Sequence, residues 1–283
     1  MKNDLLCYGA TVPGHKHIKE LRNNQDGYHI MHLDNLLIGV VTDGCTTSKK
    51  YSNNEVGAKL FPSIIAKVIA HRLLEHEESI TSRRFWHLVS HDVLSKIGII
   101  ADMLPGKRSE IIIDYLLFTI VGFVVWEEKV VIFNCGDGIY GVNDDFHTIK
   151  PMTTDLQPYL AYQLASIDDI SLLPFCRIKS IDVLALDEVE SLIIATDGLH
   201  DIISLTDKII PMTKTPAGEL TDFWKDEKIL SNTHIAQNKL AAMNKKSFSV
   251  DYENGLITHF PELMEDDTTF IVLTRKLQQT EEA

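Results

Sequence analysis

The chain has little cysteine, few basic residues for its acidic ones, and no long apolar run. Its four cysteines, Cys7, Cys45, Cys135 and Cys176, are scattered without a CxxC pair, which excludes a disulfide framework and a thiolate zinc site. With no basic and apolar leader at the start, that pattern predicts a reducing, cytoplasmic setting. Lys and Arg number 27 against 40 Asp and Glu, a formal net charge of −13. No nucleic acid and no anionic membrane is expected as partner, since either would need a basic face. The longest apolar stretch, "DYLLFTIVGFVVWEEKVVIF", is interrupted by acids. It falls short of the roughly 20 residues of a membrane span and reads as a hairpin turning near Glu127 and Glu128. No internal repeat, low-complexity tract or linker divides the 283 residues, so a single domain, 1–283, acting as a monomer is expected.

What the chain does have is acids at the ends of apolar strands. Hydrophobic residues make up 45% and charged residues 24%, enough for a packed core and against disorder. Three β-branched runs, "LLIGVVTDG", "KVVIFNCGDG" and "SLIIATDG", close on Asp43-Gly44, Asp137-Gly138 and Asp197-Gly198. A fourth pair, Asp26-Gly27 in "NNQDGYHI", precedes its strand, and "EDDTTFIVL" places Asp266 and Asp267 before the last one. One Asp-Gly alone is a turn signal. Buried strands that repeatedly deliver carboxylates at their ends point to a cluster.

Between these strands, "SNNEVGAKLFPSIIAKVIAHRLLEHE" opens with Ser52 and Glu55 at capping-box spacing and predicts an amphipathic helix bent at Pro62. "TSRRFWHLVSHDVLSKIGIIADMLP" predicts a second helix, ending before Pro105. Strand character is expected from about 111 to 142 and again for "CRIKSIDVLAL" and "SLIIAT". The proline-bearing stretch 150–175 reads as an insertion, a flap over the surface. Helices are expected near 199–205, 216–229 and 231–245, then a hairpin turning at Asn254 and Gly255.

Chemically, several carboxylates with an adjacent glycine suit Mg²⁺ or Mn²⁺, hard cations that take oxygen ligands and keep waters. A pair of such ions can lower the pKa of a bridging water and hold a phosphoryl group for in-line attack.

Five motifs in order, "NNQDGY", "VVTDG", "NCGDG", "ATDGLHD" and "EDDTTFIV", resemble the metal-dependent Ser/Thr phosphatases of the protein phosphatase 2C (PPM) type, in a divergent bacterial form. The resemblance spans about residues 23 to 274. It implies an α+β fold: a central β-sandwich of two antiparallel sheets flanked by helical pairs, in four layers. It implies two core Mn²⁺ or Mg²⁺ ions, with Asp43 bridging them, the Gly44 carbonyl on one, and Asp197 and Asp266 on the other. Asp26 would bind through water, and Asp137 and Asp201 would form a third site with Asp197. The implied reaction is hydrolysis of phosphoserine and phosphothreonine by a hydroxide bridging the ions. The substrate is then a phosphoprotein, such as that of a cognate Ser/Thr kinase.

The chain departs from the pattern in three places. The pair before the first motif strand is Gln25-Asp26 instead of Glu-Asp. Leu21 stands where bacterial relatives often carry a phosphate-binding Arg, so Arg22, one residue on, becomes the candidate phosphate clamp. Cys45 stands where animal members place a His that protonates the leaving group; a metal-bound water or a residue such as His15 or His17 is the alternative donor, and the sequence selects none of them. Cys45 as a nucleophile lacks an arginine-rich anion loop after it. The rival from another class is a catalytically silent pseudophosphatase that docks a partner, and a two-metal nuclease is disfavoured by the net charge.

Overall fold

The computed structural model describes residues 4–45, 52–76, 78–150, 157–165, 170–211, 213, 215–260 and 262–276. Its strands are β1 (Leu5–Val12), β2 (Asp26–Leu33), β3 (Leu36–Gly44), β4 (Phe118–Trp126), β5 (Lys129–Cys135), β6 (Gly138–Val142), β7 (Asp145–Ile149), β8 (Lys179–Ala185), β9 (Ser191–Ala195), β10 (Ser247–Asp251), β11 (Leu256–Phe260) and β12 (Thr268–Arg275). Its helices are α1 (His15–Lys19), α2 (Glu55–His76), α3 (Arg83–Met103), α4 (Arg108–Tyr115), α5 (Leu199–Ile203), α6 (Asp222–Lys225), α7 (Glu227–Ser231) and α8 (His234–Met243). One five-stranded sheet runs β1-β12-β9-β6-β7, the other β2-β3-β4-β5-β8, and β10 and β11 form a separate two-stranded sheet among the described residues.

Strand alternation builds four layers. Leu36, Ile38 and Val40 of β3 join Phe61, Ile65 and Ile69 of α2 and Phe85 and Val89 of α3 in one core. The intervening Leu37 and Val41 join Val121, Phe123, Ile271 and Leu273 between the sheets. On the far side Phe270 and Val272 of β12 join Leu199, Ile202, Phe223 and Leu240 of the later helices. Both faces of each sheet are therefore buried, which is why the strands read as continuous apolar runs. At roughly 1.5–3 kcal/mol for each large apolar side chain buried, these three cores dominate stability.

α2 runs through Pro62 as one helix. Proline has no N–H for the carbonyl four residues back, and that carbonyl, Ala58 O, accepts instead from Thr42 Oγ1 at 2.6 Å. The same carbonyl sits against Gly27, where an added Cβ would lie 2.2 Å from it. A proline, a threonine and a glycine thus dock α2 closely on β2 and β3.

The hairpins at Glu127-Glu128 and Asn254-Gly255 form as expected, with Trp126 opposite Lys129 and Asp251 opposite Leu256. Four expectations need correction. Residues 111–115 are helical, not extended: α4 buries Ile111 and Ile112 on one face, and a short isoleucine run satisfies either period. β7 follows a turn at Asn143 and Asp144, both with positive φ, a type I′ hairpin whose second strand is too exposed to show alternation. The helix expected over 216–229 is two short ones broken at Asp226, whose side chain caps the second by accepting from Lys228 N. Of the flap, residues 151–156 and 166–169 lie outside the described residues. In its remainder Tyr159, Leu160 and Ala161 are buried in the α2–α3 core instead of lying over the surface. Among the described residues no helix is long and apolar enough to cross a membrane.

Candidate active site

The acids converge at one end of the sandwich because the strand register delivers them there. Asp26 opens β2 and lies directly opposite Asp43 near the end of β3. Opposed residues share a face with Cβ atoms about 5 Å apart, and Asp43 has the parity of Leu37 and Val41, the inter-sheet face. From the other sheet, Thr196 at the end of β9 donates its hydroxyl to Asp26 Oδ2 at 2.8 Å. Asp197 follows it, Asp137 occupies the β5–β6 turn, Asp201 lies on α5, and Asp266 precedes β12.

Their electrostatics report the same gathering. Burial, then Asp26, Asp197, Asp266 and Asp137, push the Asp43 carboxyl well above the usual carboxylate range. Asp26 is raised well by burial and Asp267, against the stabilising hydrogen bonds of Thr196 and Thr269. Burial followed by Asp197 moves Asp137 up to about 6. Asp197 is raised by burial and Asp266, and Asp266 chiefly by burial.

Neighbouring groups aim these carboxylates. Asp201 Oδ2 accepts the backbone N–H of Glu265 at 2.6 Å and of Asp266 at 3.2 Å, so Asp201 holds the loop that carries Asp266. Gly198 lets that loop approach: an added Cβ would lie 2.0 Å from Asp267 O. Asp137 Oδ2 accepts from Gln157 Nε2, which ties the flap segment to the cluster. Gly44 donates its N–H to Gln25 O at 3.0 Å beside Asp43.

Sequence reasoning missed Asp267. Its carboxylate is 3% exposed and accepts from Gly14 N at 2.6 Å, His17 Nδ1 at 2.7 Å and Gln25 N at 2.6 Å. Asp267 raises the His17 pKa through that bond, and His17 is thereby committed to a buried ion pair. His15 Nδ1 lies 3.0 Å from Met264 O. Arg22, just beyond α1, bonds His17 O through its backbone N–H, and its guanidinium lies 3.5 Å from Glu20. Burial pushes the Cys45 thiol up, which keeps it protonated and a poor nucleophile.

Among the described residues no three Asp, Glu, His or Cys side chains form an assembled metal cage. The donor set nonetheless suits a hard cation. It is all oxygen, and Asp26 Oδ1 is buried without a hydrogen-bond partner. Carboxylates with a backbone carbonyl suit Mg²⁺ or Mn²⁺, which also retain several waters.

A family model described as protein phosphatase 2C matches residues 13–242. The serine-threonine phosphatase 2C of Toxoplasma gondii is similar over 96% of this chain and 95% of that one, at 10% identity and a TM-score of 0.51. The serine/threonine phosphatase Stp1 of Staphylococcus aureus is 17% identical, covering 97% and 95%, with a TM-score of 0.45. A bacterial serine phosphatase is also 17% identical, covering 98% and 100%, with a TM-score of 0.48. No curated protein sequence matches the chain. The two antiparallel sheets with helices on their outer faces share the fold of the Toxoplasma gondii protein. The chain belongs to the protein phosphatase 2C family, the metal-dependent phosphatases of phosphoserine and phosphothreonine.

Proposed function

We propose that the chain is a working phosphoprotein phosphatase, hydrolysing phosphoserine and phosphothreonine by direct phosphoryl transfer to water, without a covalent enzyme intermediate. The observation that carries this is the set of buried acids, which raise one another's pKa and leave Asp26 Oδ1 unpaired. Without cations such crowding costs stability. Asp43, Asp197, Asp266 and the Gly44 carbonyl would hold two Mn²⁺ or Mg²⁺ ions, Asp26 supporting them through water. Asp137 and Asp201 would serve a third with Asp197. Such ions, when bound, lower the pKa of water and neutralise charge on the phosphoryl oxygens.

The protein's own groups do the positioning. Thr196 fixes Asp26 against Asp43 across the two sheets. Asp201 fixes the 265–266 backbone so that Asp266 is presented beside Asp197. Asp267 ties α1 to the same loop. Beyond α1, Arg22 offers a guanidinium fork for phosphate oxygens, in exchange for its 3.5 Å pairing with Glu20. The protonated Cys45 leaves water as the nucleophile.

The test is phosphate release from p-nitrophenyl phosphate and a phosphothreonine peptide with Mn²⁺, with Mg²⁺ and with chelator, in wild type and Asp197→Ala. Turnover should need a cation and fall at least about a thousandfold in the variant. A folded wild type that binds Mn²⁺ and releases no phosphate would instead be a docking module.

A further inference from the structure

A second charged site lies on the helix-covered side of the β2–β8 sheet. Arg83 at the start of α3, His87 one turn on, and Arg177, Lys179 and Ser180 around the start of β8 line a cavity of about 330 Å³, with the buried Trp86 and Ile178. No acid lines it. Among the described residues Arg72 pairs with Glu78 and Asp92, and Arg108 with Asp102, whereas Arg83, Arg177 and Lys179 have no ion pair. In a chain of net charge −13, whose overall field repels anions, this pocket reverses the sign locally.

Its position relates it to the acid cleft. Lys179 is opposite Asn134 in the β5–β8 register, three residues before Asp137. β5 ends at Cys135 and the chain turns at Gly136, φ +95°, before Asp137, so these three residues span at most about 10 Å. Arg177 also closes the flap segment, donating its backbone N–H to Phe175 O at 2.8 Å. An extended peptide spans the gap in a few residues. The volume suits a whole acidic side chain more than a bare ion.

Resting on the phosphatase reading above, we propose that this pocket recognises the substrate: it takes an anionic side chain, carboxylate or phosphate, about three to six residues from the phosphoresidue under attack.

The experiment compares phosphothreonine peptides carrying Glu or Gln at each of the positions two to eight residues away on either side, in wild type and Arg83→Glu/Arg177→Glu. Arg83 and Arg177 are exposed, and an acid at a helix start is favourable, so the variant should fold; its thermal midpoint checks this. Glu at three to six residues should raise kcat/KM about tenfold in wild type, mainly through KM, and not in the variant. Turnover of p-nitrophenyl phosphate should be equal in both. A second phosphoresidue in place of Glu separates phosphate from carboxylate preference. No advantage of Glu over Gln in wild type, or the same advantage in the variant, overturns the proposal. Fluorescence anisotropy of a labelled Glu-rich peptide without phosphothreonine reads the pocket independently of catalysis. Affinity about tenfold weaker in the variant supports the site even if the wild type proves inactive, and equal affinity overturns it.

Discussion

Asp26 and Asp267 are buried alike, 2% and 3% exposed, at the same end of the sandwich, and their surroundings differ in kind. Asp267 accepts from two backbone N–H groups and His17. Among the described residues the Asp26 carboxylate is held by Thr196 and Thr269 only, keeps one oxygen unpaired, and is crowded by Asp267 itself, Asp197 and the facing Asp43. A buried carboxylate whose lone pairs are filled by the protein braces the fold. One left short among other acids stores a charge that only a ligand can offset. The contrast separates scaffold from active site within a few residues.

The sharpest way to break this contrast is to neutralise each kind of acid. Asp43→Asn should cut phosphate release at least about a thousandfold. It should also raise the thermal midpoint of the chelated protein by about 2–4 °C, as relief of repulsion worth about 1 kcal/mol would in a chain of this class. Asp267→Asn should do the reverse for stability. Two donors and the His17 partner lose their carboxylate, so denaturant unfolding should show a loss of about 3 kcal/mol. Equal stability of Asp267→Asn and wild type would end the scaffold role.

A pH series sharpens the comparison further. The acids of the cluster have raised folded pKa values, Asp137 up to about 6, so the folded state holds protons that the unfolded chain releases. Their contribution is present below the ordinary Asp pKa of about 4 and is lost as pH rises through the folded values. Chelated protein should therefore lose midpoint temperature between about pH 4 and 7, and Mn²⁺ should restore it. The raised pKa of His17 likewise gives stability present below about 6.5 and lost as pH rises through its folded value. Mn²⁺ should leave that loss unchanged. The mildest substitution is Thr196→Val, which removes the hydrogen bond to Asp26 and the acceptor of the Thr269 N–H: about 2 kcal/mol in stability and about tenfold in Mn²⁺ affinity by titration calorimetry.

Much of this was legible in the residues. The apolar runs ending in Asp43, Asp137 and Asp197 announced buried strands carrying acids, because a strand buried on both faces shows no alternation to mislead the reading. Long helices such as α2 and α3 declared themselves by period and breakers. Short ones did not: α6 and α7 are too brief for periodicity, and the break at Asp226 is a cap whose role depends on its Lys228 partner. The division of labour between Asp266 and Asp267 was not legible in "EDDTTFIVL". Both lie in the bend that precedes β12, where no strand alternation assigns either one a side. Nor could the partners of Asp267 be read, since His17 and Gly14 lie some 250 positions away.

The central claim is that the acids at the sandwich mouth are a cation site kept unbalanced by design of the fold. Calorimetric titration of Mn²⁺ into wild type and Asp43→Asn tests it most directly. The account predicts saturable binding to wild type, with proton release near pH 6 seen as heats that vary with the buffer, and its loss in Asp43→Asn. Equal binding by both proteins, or none by a folded wild type, would contradict it.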